Sequence, residues 1–196
     1  MTKLLLASTS PARKRLLTDA GLAFEVCSPG VDEDELVEQH RPKSPSELTQ
    51  LLARAKSEAV TSDALVLGCD SALFIDGEIL GKPHDPKVAI ERWRKMRGKS
   101  GELFSGHWLT DSQSGKGAGK VTSTKVYFAD LSDEQIERYV ATEEPLKVAG
   151  AFTIDGLGGA FVERIEGDYH TVVGLSLVAL RSLVEELGHD YLSLWR

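Results

Sequence analysis

The chain has 196 residues, 41% of them hydrophobic and 27% charged, a balance typical of a soluble globular protein long enough to bury a substantial core. Its 30 acidic residues outnumber 23 basic ones, for a formal net charge of −7. That charge argues against a general nucleic-acid binder and confines any positive patch to a local site suited to a small anion. Two distant cysteines, Cys27 and Cys69, supply neither a disulfide framework nor a cysteine-based zinc site.

The opening "MTKLLLASTS" carries too short an apolar run for a secretory leader, and no cleavage pattern follows it. No apolar run approaches the ~20 residues of a membrane span. A reduced, cytoplasmic compartment without a membrane partner is therefore expected. "LLLA" reads as a short buried strand. It empties into the hydroxyl turn Ser8-Thr9-Ser10, then Pro11, then the cations Arg13-Lys14-Arg15. Ser10 and Pro11 predict an N-cap and a first-turn proline, and Gly21 can end that helix. A helix start with free N–H groups attracts anions. Ser8 and Ser10 can add hydroxyl donors, and Arg13 in the first turn can fold back to grip a phosphate bidentately. A capped helix with a solvated basic face accounts for the same residues. The stretch matches neither a P-loop nor G-x-G-x-x-G.

"FEVCS" is the next candidate strand. The acidic run "VDEDEL" reads as a solvated loop or helix start from which one carboxylate could reach inward. Ser44-Pro45-Ser46-Glu47 predicts a capping box ahead of "LTQLLARAKSEAV". "ALVLGC" and "SALFI" read as two strands, with Asp70 after the first. A carboxylate at the end of a buried strand must be paired, protonated or bound to metal. Gly68 allows close approach of a ligand or of backbone. Asp76-Gly77 predicts a hairpin turn, after which Gly81-Lys82-Pro83 places a cation that the hairpin can fold back toward Asp70. Such a pair suits metal-assisted phosphate chemistry and a structural ion pair equally. A hard divalent cation needs few protein ligands, so two carboxylates from separate loops would suffice.

Further helices are expected from Asp85-Pro86, stopped by Gly98, from Ser132 with Gln135, and over 176–187, stopped by Gly188. "LFSGHWLT", "TSTKVYFA" and "GAFVERI" are candidate strands, and "DSQSGKGAGK" a flexible hairpin loop. Alternating strand and helix signals favour a layered α/β domain. Asp155-Gly156 is a turn signal inside a glycine-rich stretch whose backbone could approach a flat ligand. The five histidines lack the H-E-x-x-H spacing, no G-x-S-x-G elbow occurs, and Cys69 reads as a small buried residue.

In order and spacing, "LLLASTSPARKRLL", "VDEDE", "ARAKSEAV", "GCDSALFIDGEILGKP", "SGELFSGHWLTD" and "EPLKVAGAFTIDGLGGAFVERIEGDYHTVVGLSL" together resemble the Maf family of nucleoside triphosphate pyrophosphatases. The resemblance implies a single domain over 1–196, an elongated mixed β-sheet flanked by helices, with two lobes around a central cleft, similar to the inosine triphosphatases. It implies cleavage of a nucleoside triphosphate to the monophosphate and pyrophosphate with Mg²⁺ or Mn²⁺, and allows a homodimer. Asp70 matches the catalytic aspartate, which would deprotonate a water attacking the α-phosphorus, and Glu33 a second metal carboxylate. Ser8, Ser10, Arg13, Lys56 and Lys82 match phosphate-binding positions. The chain departs from the family at Pro11-Ala12-Arg13, where Pro-Arg-Arg is usual. It departs again at Glu102, at Ser105-Gly106, and at Asp155, where pyrimidine-preferring members carry glutamine. A carboxylate only accepts hydrogen bonds, so base preference is left open at Asp155. Two rival readings are a phosphomonoesterase and a nucleotide-binding regulator of cell division with little catalysis.

Overall fold

The structure, a computed structural model, describes residues 3–196. It is a mixed α/β fold. Strands β1 (Leu4–Ala7), β2 (Glu25–Cys27), β3 (Leu65–Ile75), β4 (Glu78–Leu80), β5 (Ser100–Asp111), β6 (Lys116–Phe128) and β7 (Val162–Glu166) form one sheet. Their order is β2-β1-β3-β5-β6-β7, with β4 paired to β3. β1 runs parallel to both neighbours, Leu5 lying opposite Glu25 and Val66. β4 returns antiparallel to β3 through the Asp76–Gly77 turn, where both residues adopt positive φ. "ALVLGC" and "SALFI" are thus one continuous strand, and Asp70 lies inside it rather than at its end.

The helices are α1 (Pro11–Asp19), α2 (Glu33–His40), α3 (Pro45–Glu58), α4 (Pro86–Met96), α5 (Asp133–Val140), α6 (Tyr169–Val173) and α7 (Leu177–Glu186). Local chemistry explains their starts. Ser10, Ser44, Asp85, Ser132 and Ser176 each accept a backbone N–H of the first turn. The Ser132–Gln135 box is reciprocal. The expected box at Ser44 is only half formed, because the Glu47 carboxylate accepts from Lys43 N at 2.8 Å instead of from the cap residue. The acidic run becomes α2, capped by Asp32, with Glu33, Asp34 and Glu35 set against the positive end of the helix dipole. Among the described residues no helix is long and apolar enough to cross a membrane.

The chain divides into two compact units. The first holds the chain to Asp70, Ser105–Thr122 and Gly174–Arg196. Its buried apolar residues include Leu6, Leu17, Val66, Leu67, Leu109 and Leu183. Helix α3 presses directly on two strands. A Cβ built on Gly68 of β3 would collide with the Ala53 carbonyl oxygen, and one on Gly106 of β5 with that of Thr49. The approach that Gly68 permits is therefore that of backbone. Ser57 completes the clamp, its hydroxyl lying 2.7 Å from both the Val66 carbonyl and the Thr110 hydroxyl.

The second unit holds Ser71–Phe104 and Ser123–Val173. Its core centres on Trp93 of α4, which is fully buried and meets Phe128, Tyr139 and Phe161 edge to face. The Trp93 indole N–H donates to the Ala151 carbonyl at 2.7 Å, so the ring is satisfied as well as packed.

Candidate active site

The first unit gathers most of the expected residues. Ser8 and Ser10 line the turn between β1 and α1. The Ser8 hydroxyl accepts from Ser10 N at 3.2 Å, and that of Ser10 from Arg13 N at 3.4 Å. Both hydroxyls act as acceptors in these bonds, which leaves their protons for a further acceptor. Arg13 is buried, and its guanidinium is held by protein. Nε donates to the Gly174 carbonyl at 2.8 Å, and Nη1 to the Cys69 carbonyl at 3.0 Å and the Ser8 hydroxyl at 3.3 Å. Arg13 folds back toward the serine turn with Nε and Nη1 directed at protein acceptors. Nε and Nη1 tie α1 to β3 and to the turn before α7.

Asp70, 9% exposed, lies one residue past the Cys69 carbonyl that Arg13 grips. Lys56, in the last turn of α3 and 5% exposed, donates from Nζ to Asp70 Oδ1 at 2.8 Å. The same ammonium lies 2.9 Å from Oε1 of Glu33 on α2. One cation thus joins carboxylates from two different elements. Burial pushes the Asp70 carboxyl above the usual carboxylate range, even against the charges of Lys56 and Arg13, and Glu33 adds to the rise. Burial also pushes the Cys69 thiol up to about 11, which leaves it an inert packing residue.

The donor set decides what kind of metal these residues could hold. Among the described residues, no group of three or more His, Cys, Asp or Glu side chains gathers as a cage. A thiolate- or histidine-based zinc centre therefore does not fit. The carboxylates of Asp70 and Glu33, both meeting the Lys56 ammonium, offer oxygen donors alone. That fits a hard divalent ion that completes its shell with phosphate and water.

Lys82 and Asp155 belong to the second unit. Lys82 is exposed on the loop after β4, where Gly81 accepts from Arg92 at 2.6 Å and Pro83 is buried. Asp155 is half-buried in the loop before the 3₁₀ turn Leu157–Phe161. That loop is organised by Glu144, a residue the sequence did not single out. Its carboxylate accepts from the hydroxyls of Thr153 and Tyr139 and, at 2.9 Å each, from the backbone N–H groups of Leu157 and Gly158. Burial pushes Glu144 up, but these four bonds outweigh it and hold the carboxyl below its usual range. The glycines belong to the same knot. A Cβ on Gly156 would lie 2.6 Å from Glu144 Oε2, and one on Gly158 would collide with the Tyr139 hydroxyl. The glycine-rich stretch was expected to let backbone approach a flat ligand. At these two positions it is the protein's own carboxylate and phenol that come close.

The comparisons agree with one another. The family profile described as Maf-like protein matches residues 3–187. A protein of Leifsonia xyli subsp. xyli named nucleoside triphosphate pyrophosphatase is 50% identical over 98% of this chain and 96% of its own length. One of the same name from Salinispora tropica is 54% identical over 98% of this chain and 87% of its own. A third, from Trichormus variabilis, is 46% identical over all of this chain and 98% of its own. With its serine turn, buried arginine and lysine-bridged carboxylates in place, the chain belongs to the Maf-like protein family.

Proposed function

We propose that this chain hydrolyses nucleoside triphosphates to the monophosphate and pyrophosphate. The observation that carries the reading is the ammonium of Lys56 bound to both Asp70 and Glu33, beside a serine-lined helix start. The names of the relatives support it.

In this reading the protons of the Ser8 and Ser10 hydroxyls take up phosphate oxygens at the positive end of the α1 dipole. Lys56 neutralises a further oxygen. Arg13, tied to the Cys69 carbonyl, holds the strand segment that carries Asp70 and adds positive charge beside it. Asp70 orients a water toward the α-phosphorus and takes its proton, and pyrophosphate leaves. Positioning and fixed charge supply most of the acceleration. Asp70 and Glu33 would hold Mg²⁺ or Mn²⁺, which when bound neutralises phosphate charge. Lys82 and Asp155 keep the phosphate and base roles that the resemblance implies.

The test is product analysis on a panel of triphosphates with Mg²⁺, Mn²⁺ or chelator. Pyrophosphate and monophosphate are expected. Orthophosphate and diphosphate would mark a phosphomonoesterase instead, and nucleotide affinity without turnover would mark a regulator. Asp70→Asn is expected to cost about 10²–10⁴-fold in kcat, the usual worth of a general base, with an unchanged circular dichroism spectrum. Wild-type turnover in that variant would remove Asp70 from the mechanism.

A further inference from the structure

We propose that Lys56 is a built-in competitor for the divalent cation at the Asp70–Glu33 pair, so that the cation binds tightly only once a nucleotide phosphate has drawn the ammonium away. The inference rests on the reading of that pair as the metal site.

The Lys56 ammonium does not neighbour the pair loosely. It is bonded at 2.8 Å to Asp70 Oδ1 and lies 2.9 Å from Glu33 Oε1, so one group occupies lone pairs on both carboxylates. Its backbone cannot retreat. Helix α3 is pressed on β3 and β5 at Gly68 and Gly106, and Ser57, the next residue, bonds the β3 carbonyl of Val66. Only the side-chain torsions of Lys56 can move the charge. A divalent cation brought to the same oxygens must displace the ammonium from them or sit beside a like charge, and repulsion is strongest on the buried side, at Lys56 and Asp70, while Glu33 stays partly exposed.

A triphosphate relieves the conflict. Its oxygens accept charge-assisted hydrogen bonds from Lys56, which frees both carboxylates and supplies the remaining oxygen ligands that a hard cation prefers. Cation and nucleotide then favour each other's binding, and by linkage the coupling is equal in both directions. The device would also keep the pair from being held by a free cation when no substrate is present.

The experiment is Mn²⁺ binding by isothermal titration calorimetry, with and without a non-hydrolysable α,β-methylene triphosphate. Lys56→Gln removes the charge and Lys56→Arg keeps it. Without the analogue, Lys56→Gln is expected to bind Mn²⁺ about tenfold tighter than wild type, a typical coupling, and Lys56→Arg no tighter. The gain should vanish in Lys56→Gln combined with Glu33→Gln. With the analogue, wild type should tighten toward the Lys56→Gln value. If Lys56→Gln gains nothing while Glu33→Gln still weakens Mn²⁺ in the analogue complex, the pair holds the metal and Lys56 does not compete. If Glu33→Gln leaves Mn²⁺ affinity in the analogue complex unchanged, the metal reading fails and takes this inference with it. Should Lys56→Gln not fold, the wild-type protein alone decides. Equal Mn²⁺ affinity with and without the analogue overturns the proposal.

Discussion

At the scale of single residues, the site depends on buried cations that serve two masters. Arg13 supplies charge next to Asp70 and also closes hydrogen bonds to the carbonyls of Gly174 and Cys69. Lysine at this position keeps the charge but loses the planar fork that reaches both carbonyls and the Ser8 hydroxyl. Arg13→Lys is therefore expected to destabilise the protein by about 2–4 kcal/mol, from lost charge-assisted bonds and stranded buried carbonyls. Urea denaturation measures this, and an unchanged midpoint would show that the carbonyls find other partners. The position of Arg13 in the first turn of a helix was legible from "STSPAR", but its partners were not. They come from residues 56 and 161 positions away, which no local pattern encodes. Lys56 illustrates the same limit. Within "ARAKSEAV" it reads as an ordinary helix lysine, and only the family resemblance marked it. Glu144 opens the stretch "EPLKVAGAF" but has no local pattern to single it out, because "TEEPLK" has the composition of a surface turn while its carboxylate ties together a loop nine to fourteen residues on.

At the scale of elements, two glycines set where Lys56 points. Because Gly68 and Gly106 bring α3 against the sheet, the last turn of the helix arrives level with Asp70. Gly68→Ala forces a methyl group into the backbone of α3. It is expected to cost about 1–3 kcal/mol, as overpacking does, and to lower activity by shifting Lys56. A Tm equal to wild type would mean that the helix moves freely away from the strand. The turn between β5 and β6 offers a pH test. Asp111 accepts from the Ser114 hydroxyl at 2.6 Å, from Gln113 N at 3.0 Å, and pairs with His189 at 3.3 Å. The Ser114 bond leads these in holding its carboxyl at about 2. The folded chain thus releases this proton more readily than the unfolded chain. Its stabilising contribution is present above an ordinary aspartate pKa of about 4 and is lost as pH falls toward 2. Asp111→Asn should therefore be less stable than wild type by about 1–2 kcal/mol at pH 7, with the difference closing below about pH 3. A constant difference across that range would contradict the assignment. The stretch "DSQSGKGAGK", which composition marks as flexible, is in fact a tight turn pinned by one acid, followed directly by a strand. Helix starts were the most legible elements, because the caps Ser10, Asp85, Ser132 and Ser176 act through neighbours two or three residues on. The short helix α6 was missed, since its cap, Asp168, stands among glycine, tyrosine and histidine with no apolar period to mark it.

At the scale of the whole molecule, β3, β5 and β6 each run from one compact unit into the other, so neither unit is a continuous piece of chain. The alternation of strands and helices made the α/β class legible. Where the chain crosses from one unit to the other was not, because the crossings at Asp70–Ser71, Phe104–Ser105 and Thr122–Ser123 fall inside continuous strands with no loop to mark them. The net charge of −7 also takes its meaning at this scale. In this acidic protein the cations Arg13 and Lys56 are buried in the first unit beside the carboxylates of Asp70 and Glu33, so the charge of the site is local rather than a broad positive surface. In the proposed reaction water attacks the α-phosphorus of a nucleoside triphosphate at Asp70. Hydrolysis in water enriched in the heavy oxygen isotope, with mass analysis of both products, tests it most directly. The label is expected in the nucleoside monophosphate and absent from pyrophosphate, whereas label in pyrophosphate or in orthophosphate would contradict it.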